Sequence, residues 1–208
     1  EYLYITVDST ISFDPSRTVM NAETLKTAVN LDILSYSDSK LEKFGNNFYY
    51  SKLCSRIDRL DDSIVGNETK IKLQRKLNPT IGSAAGYIIN FSNGISVDSY
   101  ILDDGNGNLN IYTTSTDGIR IKLTKIGTVD YINGSINLVS FNPVQDDSSI
   151  SITFKVEPKE LNIISSRNIL LIMDSTNLDS VNIKVKEVGN TTIVGTTNTT
   201  IANTPSTS

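Results

Sequence analysis

The chain opens with an alternation of apolar and polar positions that predicts a strand over Tyr2–Phe13, closed by a turn at Asp14-Pro15. From Ala22 to Tyr36 the period changes. Leu25, Val29, Ile33 and Tyr36 recur at helical spacing, Asn21 is placed to cap the first turn, and Glu23 suits the positive end of the helix dipole. Phe44-Gly45 ends the connection to a second helix, with Ser51 as its expected N-cap and Leu53, Cys54, Ile57 and Leu60 as its buried stripe. Alternation returns at Lys70–Leu77, which sets Ile71, Leu73 and Leu77 on one face and Lys70, Lys72, Gln74 and Lys76 on the other. Strand, helix, helix, strand predicts a small α+β layer over residues 1–80, with both helices on one face of a sheet.

From Ala84 to Lys186 the pattern is almost wholly β, with turn signals at Asn93-Gly94, Gly105-Asn-Gly107, Asp117-Gly118 and Asn133-Gly134. A two-residue type I′ loop at Asn133-Gly134 pairs Tyr131 with Ile136 and Val129 with Leu138, which puts both apolar pairs on one face. At Asn93-Gly94 the same loop would mix faces. A three-residue loop with Gly94 left-handed is expected there, pairing Phe91 with Ile95 and Ile89 with Val97. Further strands are expected at Ile150–Val156, Ile169–Met173 and Val181–Lys186. The predicted fold class is therefore α+β, the first layer being followed by an antiparallel β-sandwich or partly open barrel over residues 81–188. Residues 189–208, uncharged and dominated by Thr and Asn, are expected to form a tail that a neighbour would order.

Bulk composition changes this picture little. At 208 residues, with 38% hydrophobic, the chain has room for one sizeable core or two small ones. Nineteen basic against 23 acidic residues, a net charge of −4, argue against a nucleic-acid footprint spread over the whole surface while leaving room for local basic patches, and no nucleic-acid partner is expected. No apolar run approaches the roughly 20 residues of a membrane span, so no membrane partner is expected. Cys54 is the single cysteine and histidine is absent, which excludes an intrachain disulfide and a thiolate zinc cluster. The chain begins without methionine at a strand, and reads as an excerpt of a longer protein.

Four groupings imitate chemistry. Asp103, Asp104, Asn106 and Asn108 space oxygens as a calcium loop does, but Leu109 takes the place of the turn glycine and Ser115 that of the bidentate glutamate. A tight solvated turn is expected instead. Asp58, Asp61 and Asp62 sit at the polar end of the second helix, where nothing desolvates them for acid–base work. Cys54 lacks a histidine to activate it and reads as a small core hydrophobe. Lys70, Lys72, Arg75 and Lys76 form the densest basic cluster; a solvated strand face is expected, with an acidic protein partner as the other reading. The tyrosines are ordinary half-buried strand residues, and the sequons at Asn67 and Asn133 carry little without a secretory signal. No catalytic, cofactor-binding or metal-ligating residue is assigned, and no small-molecule substrate.

Gly127-Thr-Val-Asp-Tyr-Ile-Asn-Gly-Ser-Ile-Asn-Leu138, Asp103-Asp-Gly-Asn-Gly-Asn-Leu109 and Ser166-Arg-Asn-Ile-Leu-Leu-Ile-Met-Asp174 together resemble the carboxy-terminal half of the baseplate wedge subunit of T-even-type contractile-tailed phages, within the broader baseplate J-like family. Tyr50-Ser-Lys-Leu53 and Asp61-Asp-Ser-Ile-Val65 carry the likeness in the first layer. The resemblance covers most of the chain up to Lys186. It implies a structural, non-enzymatic protein of the virion's tail baseplate, assembled in the host cytoplasm. In that family the subunit dimerises, links wedges into a ring around the hub and contacts other wedge proteins. The alternative is a virion carbohydrate- or receptor-binding β-domain, suggested by the Asn, Thr and Tyr content; a hydrolase using a carboxylate pair ranks below both.

Overall fold

The structure, a computed structural model, describes residues 1–96, 103–114, 120–142 and 151–188. Eleven elements run in the order β1 (Tyr2–Phe13), α1 (Ala22–Tyr36), α2 (Tyr50–Asp58), β2 (Ile64–Leu77), β3 (Ala85–Asn90), β4 (Asn108–Thr114), β5 (Arg120–Asp130), β6 (Ser135–Phe141), β7 (Ile152–Val156), β8 (Leu170–Ile172) and β9 (Val181–Glu187). They make an α+β fold with two sheets.

The first sheet is built on β1. Its partner β2 runs antiparallel in the register Val7↔Ile71 and Ile5↔Leu73, which stacks the apolar alternation of both strands on one face. Leu3, Ile5, Val7, Ile11 and Phe13 are all buried there, beneath the helices. The cap of α1 is the expected one: the Asn21 side chain accepts from the Thr24 N–H at 2.9 Å, and Leu25, Val29, Ile33 and Tyr36 face the core. The helix then widens into a π turn over Ser37–Leu41, where the buried Ser37 hydroxyl accepts from the Met173 N–H at 2.8 Å. At α2 the cap comes from elsewhere. Ser51 lies inside the helix, and Asn162 receives the Tyr50 N–H at 3.1 Å. Leu53 and Ile57 are buried; Cys54 and Leu60 are half-buried.

The strands expected at the end of the β-rich region complete this first sheet. β7 pairs antiparallel with β2, while β8 and β9 lie parallel to β1, aligned Tyr2↔Leu170 and Val7↔Val181. Alternation marks a strand but does not name its neighbour, and parallel partners are joined by no short turn that sequence could reveal.

The second sheet, ordered β3-β6-β5-β4, departs from the expected registers at both Asn-Gly turns. β5 and β6 pair as Val129↔Ile136 and Gly127↔Leu138, so Tyr131 does not oppose Ile136 and Val129 does not oppose Leu138. The loop is four residues, Tyr131 to Gly134. Asp130 sets its length: its carboxylate accepts from the Ile132 and Asn133 N–H groups, both at 3.0 Å, and from the Asn133 side chain at 2.7 Å. The slip is by two residues, so Val129, Ile136 and Leu138 remain on the buried face.

At Asn93-Gly94 no hairpin pairs Phe91 with Ile95. β3 pairs instead with β6, Ile89 opposing Ile136, and Ser92 rather than Gly94 takes the positive φ, at 55°. The two turns dock on each other: the Phe91 N–H donates to Gly134 O and the Ile95 N–H to Tyr131 O, both at 2.8 Å. Val97, Ser115, the Asp117-Gly118 turn and the tail 189–208 lie outside the described residues.

A strap, residues 158–165, joins the two sheets. Asn93 meets Ile164 twice, accepting from its N–H at 2.9 Å and donating to its carbonyl at 3.1 Å. Ile95 bridges to Pro158, Phe48 to Ile163, and the Ser165 N–H donates to Asn47 at 2.9 Å. Buried Phe91, Ile95 and Ile163 make the apolar interiors of both sheets one connected core.

Candidate functional site

The loop before β4 spends its oxygens on its own backbone and side chains and on Tyr131 and Lys125 of the neighbouring hairpin. Asp104 accepts from the Asn106 and Asn108 N–H groups at 2.9 and 3.0 Å and from the Asn108 side chain at 2.9 Å, while Asp103 accepts from the Gly105 N–H at 3.0 Å. Gly105 and Gly107 take φ of 74° and 80°, as a turn of this tightness requires. Tyr131 reaches in from the β5–β6 loop: its hydroxyl donates to Asp103 at 2.6 Å and accepts from the Gly107 N–H at 3.1 Å. Burial, and then the Asp103 carboxylate, push its phenol up to about 12. Tyr131 is thus a pin between two turns.

The other groupings are also dispersed or engaged. Asp58 accepts from Asn67 at 2.7 Å, and hydrogen bonding by Ser63 holds Asp61 below the usual carboxylate range. Along β2, Lys72 lies 4.0 Å from Glu157 and Lys76 3.0 Å from Asp174, with Lys76 also 4.6 Å over the Tyr4 ring. Arg75 points to the opposite, buried face, where it donates to Tyr2 O at 2.7 Å beside Glu1. The basic cluster is therefore split between two faces of the sheet.

A cleft of about 1050 Å³ lies elsewhere, between α1 and α2. Its floor is an ion pair: Arg56 donates to both Asp32 oxygens, at 2.6 and 2.5 Å, with the guanidinium 6.0 Å from the Tyr36 ring centroid. Asp32's hydrogen bonds, working against burial, raise Arg56 above its usual range, and burial raises the Tyr36 phenol. Around the floor stand Lys40, Lys52 and Arg59, all exposed, with Lys52 4.5 Å over the Tyr49 ring. The signal for this cleft was present as basic residues at positions 52, 56 and 59, on α2 and its C-cap, a helical spacing on the polar face. What sequence pattern lacks is the contribution of Asp32 and Tyr36 from the other helix.

Among the described residues no three potential metal-binding side chains come together, and no helix is long and apolar enough to cross a membrane. Residues 1–76 match the family model described as baseplate structural protein gp6, C-terminal domain III. Residues 1–76 are therefore similar to a phage baseplate structural domain. The gp6 match spans 76 of the 208 residues, taking in β1, α1, α2 and nearly all of β2, so the strands β7–β9 that complete the sheet lie beyond it. It agrees with the resemblance carried by Tyr50–Leu53 and Asp61–Val65, and it bears on the gp6 domain rather than on the broader J-like grouping. No curated protein matches the chain.

Proposed function

We propose that this gp6-type chain is a wedge component of a contractile tail's baseplate that dimerises, links wedges into a ring around the hub and contacts other wedge proteins. The match of residues 1–76 to gp6 C-terminal domain III carries the reading. The hydrogen-bonded loop at residues 103–108 and the dispersed carboxylates support a non-enzymatic role with no cofactor, metal or small-molecule substrate. Neither nucleic acid nor membrane is a proposed partner. The proposed site of action is the virion's tail baseplate, after assembly in the host cytoplasm. Residues 1–77 and 152–187 form one unit in this proposal, into which the β-rich stretch 85–141 is inserted, in place of a division at residue 80.

Ring closure needs one self-complementary contact and a second, different one. The outer face of the second sheet suits a contact of this kind: Ile88 and Val139, on adjacent strands, are 75% and 58% exposed. In a complementation test, Ile88→Glu with Val139→Glu should block baseplate assembly while leaving the purified chain folded, and the unaltered chain should be dimeric by light scattering at tens of micromolar. A chain monomeric at millimolar concentration, with substitutions that impair host adsorption but never assembly, would replace this reading with receptor binding.

A further inference from the structure

Of the cations around the α1–α2 cleft, Lys52 lies 4.5 Å over the Tyr49 ring, and none of Lys40, Lys52 and Arg59 has an acidic partner among the described residues, in a protein whose net charge is −4. Of the acids closest in sequence, Glu42 accepts from Ser37 at 3.1 Å and lies beside the exposed Asp38, and Asp58 accepts from Asn67 at 2.7 Å. Asp32 is held by Arg56 on the floor. We propose that this cleft is a docking groove for an acidic, extended segment of a neighbouring protein chain.

Shape and spacing favour a peptide over a small anion. At about 1050 Å³ the cleft is at the upper end for a small-molecule site. Lys52 and Arg59 lie seven residues apart on or just past α2, roughly 10 Å along its axis at about 1.5 Å per residue. An extended chain of the polyproline-II type, with three residues per turn and a rise of about 3.1 Å per residue, brings acidic side chains three positions apart onto one side at the same spacing. Lys40, on the π turn that follows α1, supplies the opposite wall. A nucleic acid strand fits less well, because it needs open aromatic faces for its bases. Tyr36 is buried and the Tyr49 ring is covered by Lys52.

The inference rests on the baseplate reading only for the source of the acidic segment, a neighbouring subunit of the assembly. The test uses the full chain and a fluorescein-labelled oligoglutamate, with oligoglutamine and oligothymidylate as comparisons, read by anisotropy. Oligoglutamate alone should bind, more weakly as salt rises. Lys52→Glu with Arg59→Glu should weaken binding at least about tenfold, whereas Lys70→Glu with Lys184→Glu, on the opposite face of the sheet, should leave it unchanged. The milder pair Lys52→Ala and Arg59→Ala, checked by thermal unfolding, guards against loss of fold and should weaken binding in the same direction. Absence of oligoglutamate binding at millimolar peptide, or equal loss in both charge-reversed pairs, overturns the groove. Tighter binding of oligothymidylate, lost in the same variants, replaces the acidic peptide with nucleic acid. Complementation is a separate readout. Variants that bind no oligoglutamate yet assemble normally refute the groove and leave the baseplate reading standing, whereas a chain that never enters baseplates refutes that reading whatever the groove binds.

Discussion

Gly134 sits where two constraints meet. Its φ is 67°, and a Cβ built there would run into the carbonyl oxygen of Asn93 in the turn docked above it. The first constraint alone costs a β-branched residue about 1–3 kcal/mol. Backbone oxygen cannot swing aside as the end of a side chain can. Gly134→Val should therefore cost about 3 kcal/mol or more, and Gly134→Ala nearly as much, by urea denaturation; a loss below about 0.5 kcal/mol for alanine would show that the two turns are not in contact. Asp130, which sets the length of the same loop, has its carboxyl held below the usual range by hydrogen bonds from Asn133 and then Ile132. A depressed carboxyl stabilises the fold at pH values above its unfolded pKa, and that contribution is lost as pH falls through the folded value. Asp14, Asp61 and Asp174 shift the same way, so the informative quantity is a difference. Between pH 6 and pH 3, Asp130→Asn should lose less stability than the unaltered chain, and equal losses would remove Asp130 from the account.

Among the elements, α1 is the one whose sequence states everything the structure needs. Its stripe, its Asn21 cap and its ends are all local, so Ala22–Tyr36 was legible in full. β1 was legible for the same reason. α2 was half legible, because its stripe is local but its cap, Asn162, arrives from more than a hundred residues away. The Asn133-Gly134 hairpin went astray over a competition between local signals: the Asn-Gly pair favours a two-residue loop, and Asp130 closes a four-residue one. The α1–α2 cleft stayed hidden because two helices and the loop between them line it together. The strap over 158–165 carries no periodic signal either, yet it holds the two sheets together. Asn93→Ala removes both bonds to Ile164 and should cost about 1–2 kcal/mol. Hydrogen exchange should rise at Ile164 and Lys159 while the amides of α1 stay protected. Uniform acceleration across both sheets would mean that the strap and the core are one cooperative unit.

For the molecule as a whole, the informative fact is that its first sheet is assembled from strands far apart in sequence. β1 lies between β2, close in sequence, and β8 and β9, which follow from residue 170 onward. The helical side of the sheet is finished only when β9 slides in beside β1, with the Asn30 side chain donating to Val181 O at 3.1 Å. This ordering has a temporal meaning. While the chain is being synthesised, β1 waits with one edge bare and its inner face only partly covered, through the whole of the inserted sheet. Pairings of such long sequence separation close slowly, because the entropy of the intervening loop is lost before any contact forms. Until residue 187 has emerged, β1 is an open template for another strand, and truncation within β9 should yield aggregates rather than a smaller soluble fold.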